Sequence, residues 1–268
     1  MCTEPFFSII IVSFNAEETI RETVESVLRQ EFENYEIIVK DACSKDDTVY
    51  RIPEDGRIKV YITEDTGIYD GMNEAITYAA GRYLLFLNCG DCLRDRRVLS
   101  NVYNVAKEYN RTENGMVIYG DYYRGNIYCK QPSKLTPFYL YRTPLCHQTM
   151  FIEKILFERY GNYECQYKIC ADYDFTLKTF RKGVRYIYCE YAICNYLGGG
   201  VSESDRGVAV KEKDYRRIKA TYYKKTENTF YGIVMALTFR RLRQRIVSDK
   251  SPMWIKNIYH KIVNVINN

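Results

Sequence analysis

Two aspartates follow apolar runs that have the length of buried strands. Asp41 ends the run Glu-Ile-Ile-Val-Lys-Asp (36–41), and Asp91 comes shortly after Tyr-Leu-Leu-Phe-Leu (83–87). In an open α/β sheet, the loops after the carboxyl ends of strands converge on one crevice, and ligands bind there. Two acids in that crevice indicate a nucleotide held together with a divalent metal ion, because such ions prefer oxygen ligands.

The segments around these acids alternate between strands and helices. Apolar runs predict strands at 8–14, 35–40, 57–62 and 83–87. A helical stripe that begins at Ile20 predicts a helix after the first strand, and a second helix is expected over 72–80, ended by Gly81. Continuous apolar strands that alternate with helices are typical of a parallel, doubly wound α/β sheet.

The pattern is looser after Asp91. We expect helices at 98–109 and 171–181, strands at 116–119 and 185–191, a hairpin over 120–130 that turns near 124–126, and a glycine loop at 198–200. This half should mix strand directions. The sequence therefore predicts a catalytic domain over 1–204, with a nucleotide-binding half (1–91) and an acceptor half (92–204), followed by a helical extension over 205–268.

Bulk composition excludes little by itself. The chain has 268 residues and a net charge of +5, which suits many enzymes as well as nucleic-acid or membrane-surface binders. The start of the chain shows no secretory signal pattern, so we interpret the ten cysteines as reduced thiols of a cytoplasmic protein. Cys89-x-x-Cys92 has no second such pair, which disfavours a zinc site. A run of 18 apolar residues is also missing.

The C-terminal extension combines apolar and basic residues. Arginines at 240, 241, 243 and 245 follow an apolar stretch, and a stripe of isoleucines from Ile255 onward lies beside Trp254. Such a face is typical of a helix on an anionic membrane surface. The same pattern suits a helical pair that packs on protein, and both interpretations stay open. The oligomeric state is not determined by the sequence.

Eight segments, in order along the chain, resemble the family 2 glycosyltransferases of the GT-A fold, and in particular the bacterial polysaccharide-assembly enzymes. The segments are Ser-Ile-Ile-Ile-Val-Ser-Phe-Asn (8–15), Ser-Val-Leu-Arg-Gln-Glu-Phe (26–32), Glu-Ile-Ile-Val-Lys-Asp-Ala-Cys-Ser-Lys-Asp-Asp-Thr (36–48), Gly-Ile-Tyr-Asp-Gly-Met-Asn-Glu-Ala-Ile (67–76), Leu-Asn-Cys-Gly-Asp (87–91), His-Gln-Thr-Met-Phe (147–151), Ala-Asp-Tyr-Asp-Phe (171–175) and Gly-Gly-Val-Ser (199–202).

The resemblance implies roles for three aspartates. Asp41 would hydrogen-bond the base of the donor nucleotide, and Asp91 would hold Mn²⁺ or Mg²⁺ against the diphosphate at the last position of the family's Asp-x-Asp element. Asn88 replaces the first acid of that element. Asp172 would be the general base on the acceptor hydroxyl. Asp174, two residues on, should point elsewhere if a helix begins here.

Further residues are assigned to the pocket by the same resemblance. The expected donor-binding residues, besides Asp41, Asn88 and Asp91, are Ser13, Asn15, Asp65, Asn73, Gly199 and Gly200. The expected acceptor or pocket residues are His147, Gln148, Asp174 and Ser202.

The resemblance thus implies an inverting, hexosyltransferase-type enzyme. It would move a sugar from a nucleotide-diphosphate donor, UDP by expectation, to an acceptor hydroxyl of a sugar or lipid-linked oligosaccharide. A non-catalytic sugar-nucleotide-binding subunit is the alternative, since Asn88 leaves one carboxylate fewer. A dinucleotide oxidoreductase would need Gly-x-Gly-x-x-Gly after the first strand, where this chain has Ser13-Phe14-Asn15-Ala16-Glu17-Glu18. Nucleic-acid binding is suggested by basic charge alone and is not expected.

Overall fold

The computed structural model describes residues 4–109, 114–198 and 204–238. Strands in these ranges form one sheet with the order β3-β2-β1-β4-β8-β6-β9-β5, and β7 pairs with β6 outside this path. The strands are β1 (Phe7–Ser13), β2 (Tyr35–Asp41), β3 (Ile58–Ile62), β4 (Tyr83–Asn88), β5 (Cys92–Leu93), β6 (Met116–Arg124), β7 (Ile127–Cys129), β8 (Met150–Glu153) and β9 (Arg185–Tyr196). The helices are α1 (Ile20–Leu28), α2 (Ile68–Tyr78), α3 (Val98–Glu108), α4 (Pro137–Arg142), α5 (Ile155–Tyr160), α6 (Ala171–Arg181), α7 (Asp205–Tyr222) and α8 (Lys225–Thr238).

The first four strands form the parallel half of the sheet. β1 pairs in parallel with β2 and with β4, and β2 pairs in parallel with β3. All residues of β2 are buried, including the charged Glu36, Lys40 and Asp41, whose side chains all have hydrogen-bond partners. The predicted stripe on α1 is buried as well, at Ile20, Val24 and Val27. The doubly wound α/β arrangement predicted for this half is confirmed.

The remaining strands mix directions, as expected. β8 runs antiparallel between β4 and β6, β9 runs parallel to β6, and β5 runs antiparallel to β9. The hairpin of β6 and β7 turns at Gly125 and Asn126, where Gly125 has φ +57°. β9 continues past the predicted end at 191, and β8 was not predicted as a strand. Its four residues are too few for a periodic signal.

Both predicted boundaries of the second helix, 72 and 80, were wrong. α2 begins at Ile68 rather than at 72, and it ends at Tyr78 because Ala79 already has extended backbone angles. Gly81 therefore does not terminate the helix. A Cβ at Gly81 would lie 2.5 Å from the backbone nitrogen of Ser8, so the glycine permits the close approach of the chain that leads into β4.

The chain divides into two compact units, residues 1–134 with 145–214 and residues 135–144 with 215–268. The sheet and all described candidate site residues belong to the first unit. In the second unit, α4 packs with α8 through aromatic side chains, and the Tyr223 hydroxyl donates to the carbonyl of Pro137 at 2.9 Å. The predicted basic and isoleucine-rich tail lies outside the described residues. The predicted domain boundary at 204 stays a prediction.

Candidate active site

Asp41 lies at the carboxyl end of β2, directly opposite Ser13 in the register with β1. Its side chain is fully buried and accepts three hydrogen bonds. Ser13 Oγ and Ser44 Oγ donate to Oδ2 at 2.8 and 2.6 Å, and the backbone N–H of Ser44 donates to Oδ1 at 2.7 Å. These donors fix the orientation of the carboxylate. Oδ2 already accepts two hydrogen bonds, whereas Oδ1 accepts one and keeps acceptor capacity for an N–H group of a ligand.

Asn15 holds the loop beside Asp41. Its backbone N–H donates to Ser44 Oγ at 2.8 Å, and its side-chain oxygen accepts from the backbone N–H of Lys45 at 2.9 Å. The residue has φ +49°, in the left-handed region where asparagine is tolerated better than most residues. Asn15 therefore supports the loop through both its backbone and its side chain.

Asp65 is positioned by a buried cation. Lys40 is fully buried, and its Nζ lies 2.6 Å from Asp65 Oδ2 and 3.7 Å from Glu74 Oε2. Nζ also donates to the carbonyl of Thr63 at 2.7 Å. A buried ammonium group requires such partners, because an unpaired charge away from water is costly. Lys40 and Asp65 thus tie β2 to the segment that leads into α2.

Asp91 is buried, with 3% of its surface exposed. Gln148 Nε2 donates to Oδ2 at 2.9 Å, and the backbone N–H of Leu197 donates to Oδ1 at 2.9 Å. Burial raises the pKa of the Asp91 carboxyl, and the two donors and the nearby His147 oppose the rise only partly. Burial without an adjacent cation thus disfavours the charge of this carboxylate.

The surroundings of Asp91 fit a divalent ion that binds together with a diphosphate. Within the described ranges, no group of three or more His, Cys, Asp or Glu side chains is placed to hold a metal. Mg²⁺ at a nucleotide site needs only one or two protein ligands, because phosphates supply others. Asn88 Oδ1 in the same turn is a buried oxygen without a hydrogen-bond partner. A cation would bind the unsatisfied oxygen of Asn88, and it would offset the unfavourable charge of the buried Asp91 carboxylate.

Asp172 lies in the first turn of α6 and has a different neighbouring side chain at each carboxylate oxygen. The Tyr69 hydroxyl donates to Oδ1 at 2.6 Å, and His147 Nδ1 lies 3.6 Å from Oδ2. The pKa of Tyr69 is well above its usual value because the phenol is buried and faces the Asp172 carboxylate. Tyr69 therefore acts as a hydrogen-bond donor, and 16% of the Asp172 side chain stays exposed.

Asn88 links the surroundings of Asp91 and Asp172. Its Nδ2 lies 3.4 Å from His147 Nε2, and its backbone carbonyl accepts from the N–H of Asp91 at 3.0 Å. Asn88 also pairs with Val12 in the register of β1 and β4, one residue before Ser13. The structure therefore brings Asp41, Asn88, Asp91, His147, Gln148 and Asp172 into one connected set of strand ends and neighbouring side chains.

Two predicted residues are engaged elsewhere. Asn73 donates to the carbonyl of Tyr163 at 2.9 Å and accepts from its backbone N–H at 2.9 Å, so its amide fixes a loop. Asp174 is buried, and its Oδ2 lies 3.9 Å from Lys178 Nζ. It points away from Asp172, as the helical geometry predicts. Gly199, Gly200 and Ser202 lie outside the described residues.

Three residues that hold the candidate acids were not predicted from the sequence. They are Tyr69, Lys40, and Ser44 as a hydrogen-bond donor to Asp41. Lys40 carried a signal, because a lysine within an otherwise apolar strand needs a buried acid. Tyr69 carried none, because its partner is 103 positions away.

Comparison with known proteins decides the family. The model of glycosyl transferase family 2 matches residues 8–187. The chain belongs to glycosyl transferase family 2. A glycosyltransferase of Mycobacterium bovis, named for PGL/p-HBAD biosynthesis, is 29% identical over 204 residues, which are 73% of this chain and 78% of that protein. An Escherichia coli protein, named UDP-Glc:alpha-D-GlcNAc-diphosphoundecaprenol beta-1,3-glucosyltransferase, is 41% identical over 87 residues, which are 31% of this chain and 34% of that protein.

Solved structures show the same GT-A fold. Staphylococcus aureus TarS 1–349 in complex with UDP-GlcNAc superposes with a TM-score of 0.65 at 18% identity and covers 91% of this chain and 76% of its own. A Pyrobaculum calidifontis mannosyltransferase in complex with GDP-Man and Mn²⁺ has a TM-score of 0.57 at 14% identity and covers 99% and 88%. The chain is therefore a glycosyltransferase, as the sequence predicted. None of the helices in the described ranges has the length and apolar character needed to cross a bilayer.

Proposed function

We propose that this protein transfers a sugar from a UDP-sugar to an acceptor hydroxyl with inversion at the anomeric carbon. The acceptor would be a sugar of a growing polysaccharide or of a lipid-linked oligosaccharide. The observation that carries the proposal is Asp172, a part-exposed carboxylate that accepts from Tyr69 at Oδ1. Its Oδ2 lies 3.6 Å from His147, which leads to the turn that contains Asp91.

Asp172 would act as the general base. A base must lie within hydrogen-bond reach of the acceptor hydroxyl, and its lone pairs must be aimed at that proton. Tyr69 and His147 aim the carboxylate from two sides and leave part of it open to solvent. Direct attack of the acceptor oxygen on the anomeric carbon needs no covalent enzyme intermediate, so a single displacement inverts the configuration.

Asp41 and Asp91 would hold the two ends of the nucleotide. The buried Asp41 carboxylate suits the imide N–H of uracil, because its remaining acceptor capacity lies at the strand end. Asp91, with the free oxygen of Asn88, would hold Mn²⁺ or Mg²⁺. When bound, that ion offsets the charge on the departing diphosphate. Gln148 and the Leu197 N–H keep the Asp91 carboxylate in place.

The donor assignment is supported by the names of similar proteins. UDP-GlcNAc and UDP-Glc appear in two of them, whereas GDP-Man and Mn²⁺ appear in a third. A thermal-shift screen of the full-length protein with UDP-glucose, UDP-GlcNAc, GDP-mannose and ADP-glucose, each with and without Mn²⁺, should show stabilisation by UDP-sugars that increases with the ion.

Release of UDP from the stabilising donor then separates an enzyme from a binding subunit. We expect slow release with water and faster release with an acceptor from a panel of sugars and polyprenyl-diphosphate sugars. Tight binding with no release under any condition would favour the non-catalytic subunit. The absence of stabilisation by any UDP-sugar would remove the donor assignment.

We also propose that the C-terminal tail brings the protein to the inner face of the cell membrane. The support is the Arg-rich run at 240–245 beside the isoleucine stripe. Flotation of full-length protein with vesicles that contain anionic lipid should exceed that of a 1–228 truncation. Equal flotation of the two would contradict the proposal.

A further inference from the structure

His147 has a different neighbour at each ring nitrogen. Its Nδ1 faces a carboxylate oxygen of Asp172 at 3.6 Å, and its Nε2 faces the side-chain Nδ2 of Asn88 at 3.4 Å. In a neutral imidazole, one nitrogen carries the proton and the other accepts. A carboxylate oxygen at this distance favours a proton on Nδ1, and an amide N–H favours an unprotonated Nε2. Both neighbours therefore favour the same tautomer.

The identity of residue 88 matters for this tautomer. An amide can donate a hydrogen bond, whereas an ionised carboxylate only accepts. An acid at position 88 would attract a proton to Nε2 as well, so the imidazole between two carboxylates would favour the form with protons on both nitrogens. Asn88, the residue that departs from the family's Asp-x-Asp element, is thus compatible with a His147 that donates to Asp172.

Tyr69 completes the arrangement on the opposite oxygen. It donates to Asp172 Oδ1, and its hydroxyl lies 2.7 Å from the carbonyl oxygen of Ile169 just before α6. The hydroxyl is therefore held near the start of the helix. Tyr69 occupies one lone pair of Asp172 Oδ1. The position of His147 Nδ1 beside Oδ2 then determines which lone pairs of the Asp172 carboxylate remain for a substrate.

We propose that His147 and Asn88 are positioning residues for Asp172, with Asn88 selecting the Nδ1–H tautomer through which His147 orients the carboxylate. The inference rests on the proposed function, because it gives His147 and Asn88 their task through the base. It predicts that His147 contributes nothing further to catalysis once Asp172 cannot act as a base.

The tautomer can be measured without any activity. The protein has two histidines, so His260→Gln leaves a single imidazole in full-length protein. Long-range ¹H–¹⁵N spectra at about pH 8, above the ordinary pKa of histidine, should show the proton on Nδ1. Asn88→Asp should add a second proton on Nε2. A proton on Nε2 in the protein with Asn88 would overturn the inference, whatever the protein does to sugar nucleotides.

Two substitutions of His147 separate its nitrogens in the kinetics. The amide nitrogen of His147→Asn comes near the place of Nδ1, and that of His147→Gln comes near the place of Nε2. With the UDP-sugar that gives the fastest UDP release, we expect His147→Gln to lower kcat ~10-fold or more and His147→Asn to stay within ~3-fold, because a misdirected base loses rate through geometry. The affinity for UDP, measured by calorimetry, should not change.

Coupling to the base distinguishes positioning from direct contact. In Asp172→Asn protein, adding His147→Gln should cost no further rate, since residues that act as one unit are not additive. A further loss in the double variant, equal losses in His147→Asn and His147→Gln, or a loss of UDP affinity would each overturn the inference. If the parent protein releases no UDP from any sugar nucleotide, the proposed function fails, and the spectra alone decide the inference.

Discussion

Two regions of the sheet domain hold their candidate acids in different ways. At the end of the parallel strands β1 and β2, Asp41 accepts from Ser13 on the neighbouring strand and from Ser44 three residues on. Asp91, just after β4, and Asp172, in the first turn of α6, depend on groups that come from far along the chain, namely Gln148, Leu197, Tyr69 and His147. The first acid is set within one βαβ unit, whereas the others require the assembled domain.

This difference matches the proposed division of tasks. A nucleotide base is the same in every donor of one class, so a rigid local pocket is sufficient for Asp41. The ion and the acceptor proton need carboxylates aimed at atoms that change charge during the reaction. Contacts from several elements can tune that aim. Substitutions at Asp41 should therefore affect nucleotide binding, whereas those at Asp91 and Asp172 should affect the ion and the transfer step.

The largest effect is expected at the base. Asp172→Asn preserves the shape of the side chain and its bond from Tyr69 but removes the basic oxygen. We expect kcat for UDP release to fall ~10²- to 10⁴-fold, the range typical of general-base catalysis, with unchanged UDP affinity. Glu22→Gln is the matched control, because Glu22 is an exposed acid in the first turn of α1. Full turnover by Asp172→Asn would refute its role.

The second effect should appear in ion binding rather than in stability. Burial raises the pKa of Asp91, so its charge is unfavourable in the absence of a cation. We expect Asp91→Asn to change Tm by less than ~2–4 °C without ion, a shift equivalent to roughly 1 kcal/mol. The neutral amide removes the buried charge but turns its NH₂ group toward one of the two donors, Gln148 and Leu197. The extra stabilisation that Mn²⁺ gives to the UDP complex should disappear. A variant that still responds to Mn²⁺ would place the ion elsewhere.

A smaller effect is expected in the parallel half. Asp41→Asn should weaken UDP binding ~10-fold, because a hydrogen bond to a charged group contributes about 1.5–3 kcal/mol. The kcat at saturating donor should stay within a few-fold. CDP lacks the imide N–H, so the preference for UDP over CDP should shrink in the variant. An unchanged preference would show that Asp41 does not contact the base.

The smallest effect on function, and a clear one on stability, is expected at Glu36. It is buried, and it accepts from Ser8 Oγ at 2.6 Å, from the Ala80 N–H at 2.7 Å and from Lys59 Nζ at 2.8 Å. Burial alone would raise its pKa, but these donors outweigh burial and lower it. Glu36→Gln should reduce the free energy of unfolding by ~1–3 kcal/mol at neutral pH.

The sign of this contribution gives a pH test. A lowered pKa in the folded protein stabilises above the unfolded value of about 4.3, and the contribution is lost as pH falls through the folded value. The difference between Glu36→Gln and the parent protein in urea denaturation should therefore shrink below about pH 4. Glu25→Gln, which removes exposed ion pairs on α1, should change stability by less than ~0.5 kcal/mol.

The sequence predicted the parallel half better than the mixed half, for a physical reason. β1, β2 and β4 are covered on both faces, and each contains a run of three or more consecutive apolar residues. β8 and β5 are short and paired with distant strands, and no local pattern marks them. Likewise, Asp41 followed from its place at a strand end. Asp172 at the start of α6 meets Tyr69 of α2 and His147 of the turn before β8 only in the folded domain. The periodicity of the sequence carries no information on these long-range contacts.

The bond between Tyr69 and Asp172 joins residues 103 positions apart, and such contacts close late because a long loop must first be ordered. During synthesis, the β1–α1–β2 unit with its Asp41 cradle can therefore be complete while α6 is still missing. Under the proposed roles, a nascent chain at that stage would carry the side chains that orient Asp41 but would lack the base that activates an acceptor. Cleavage of the activated sugar would then wait until the whole domain has folded.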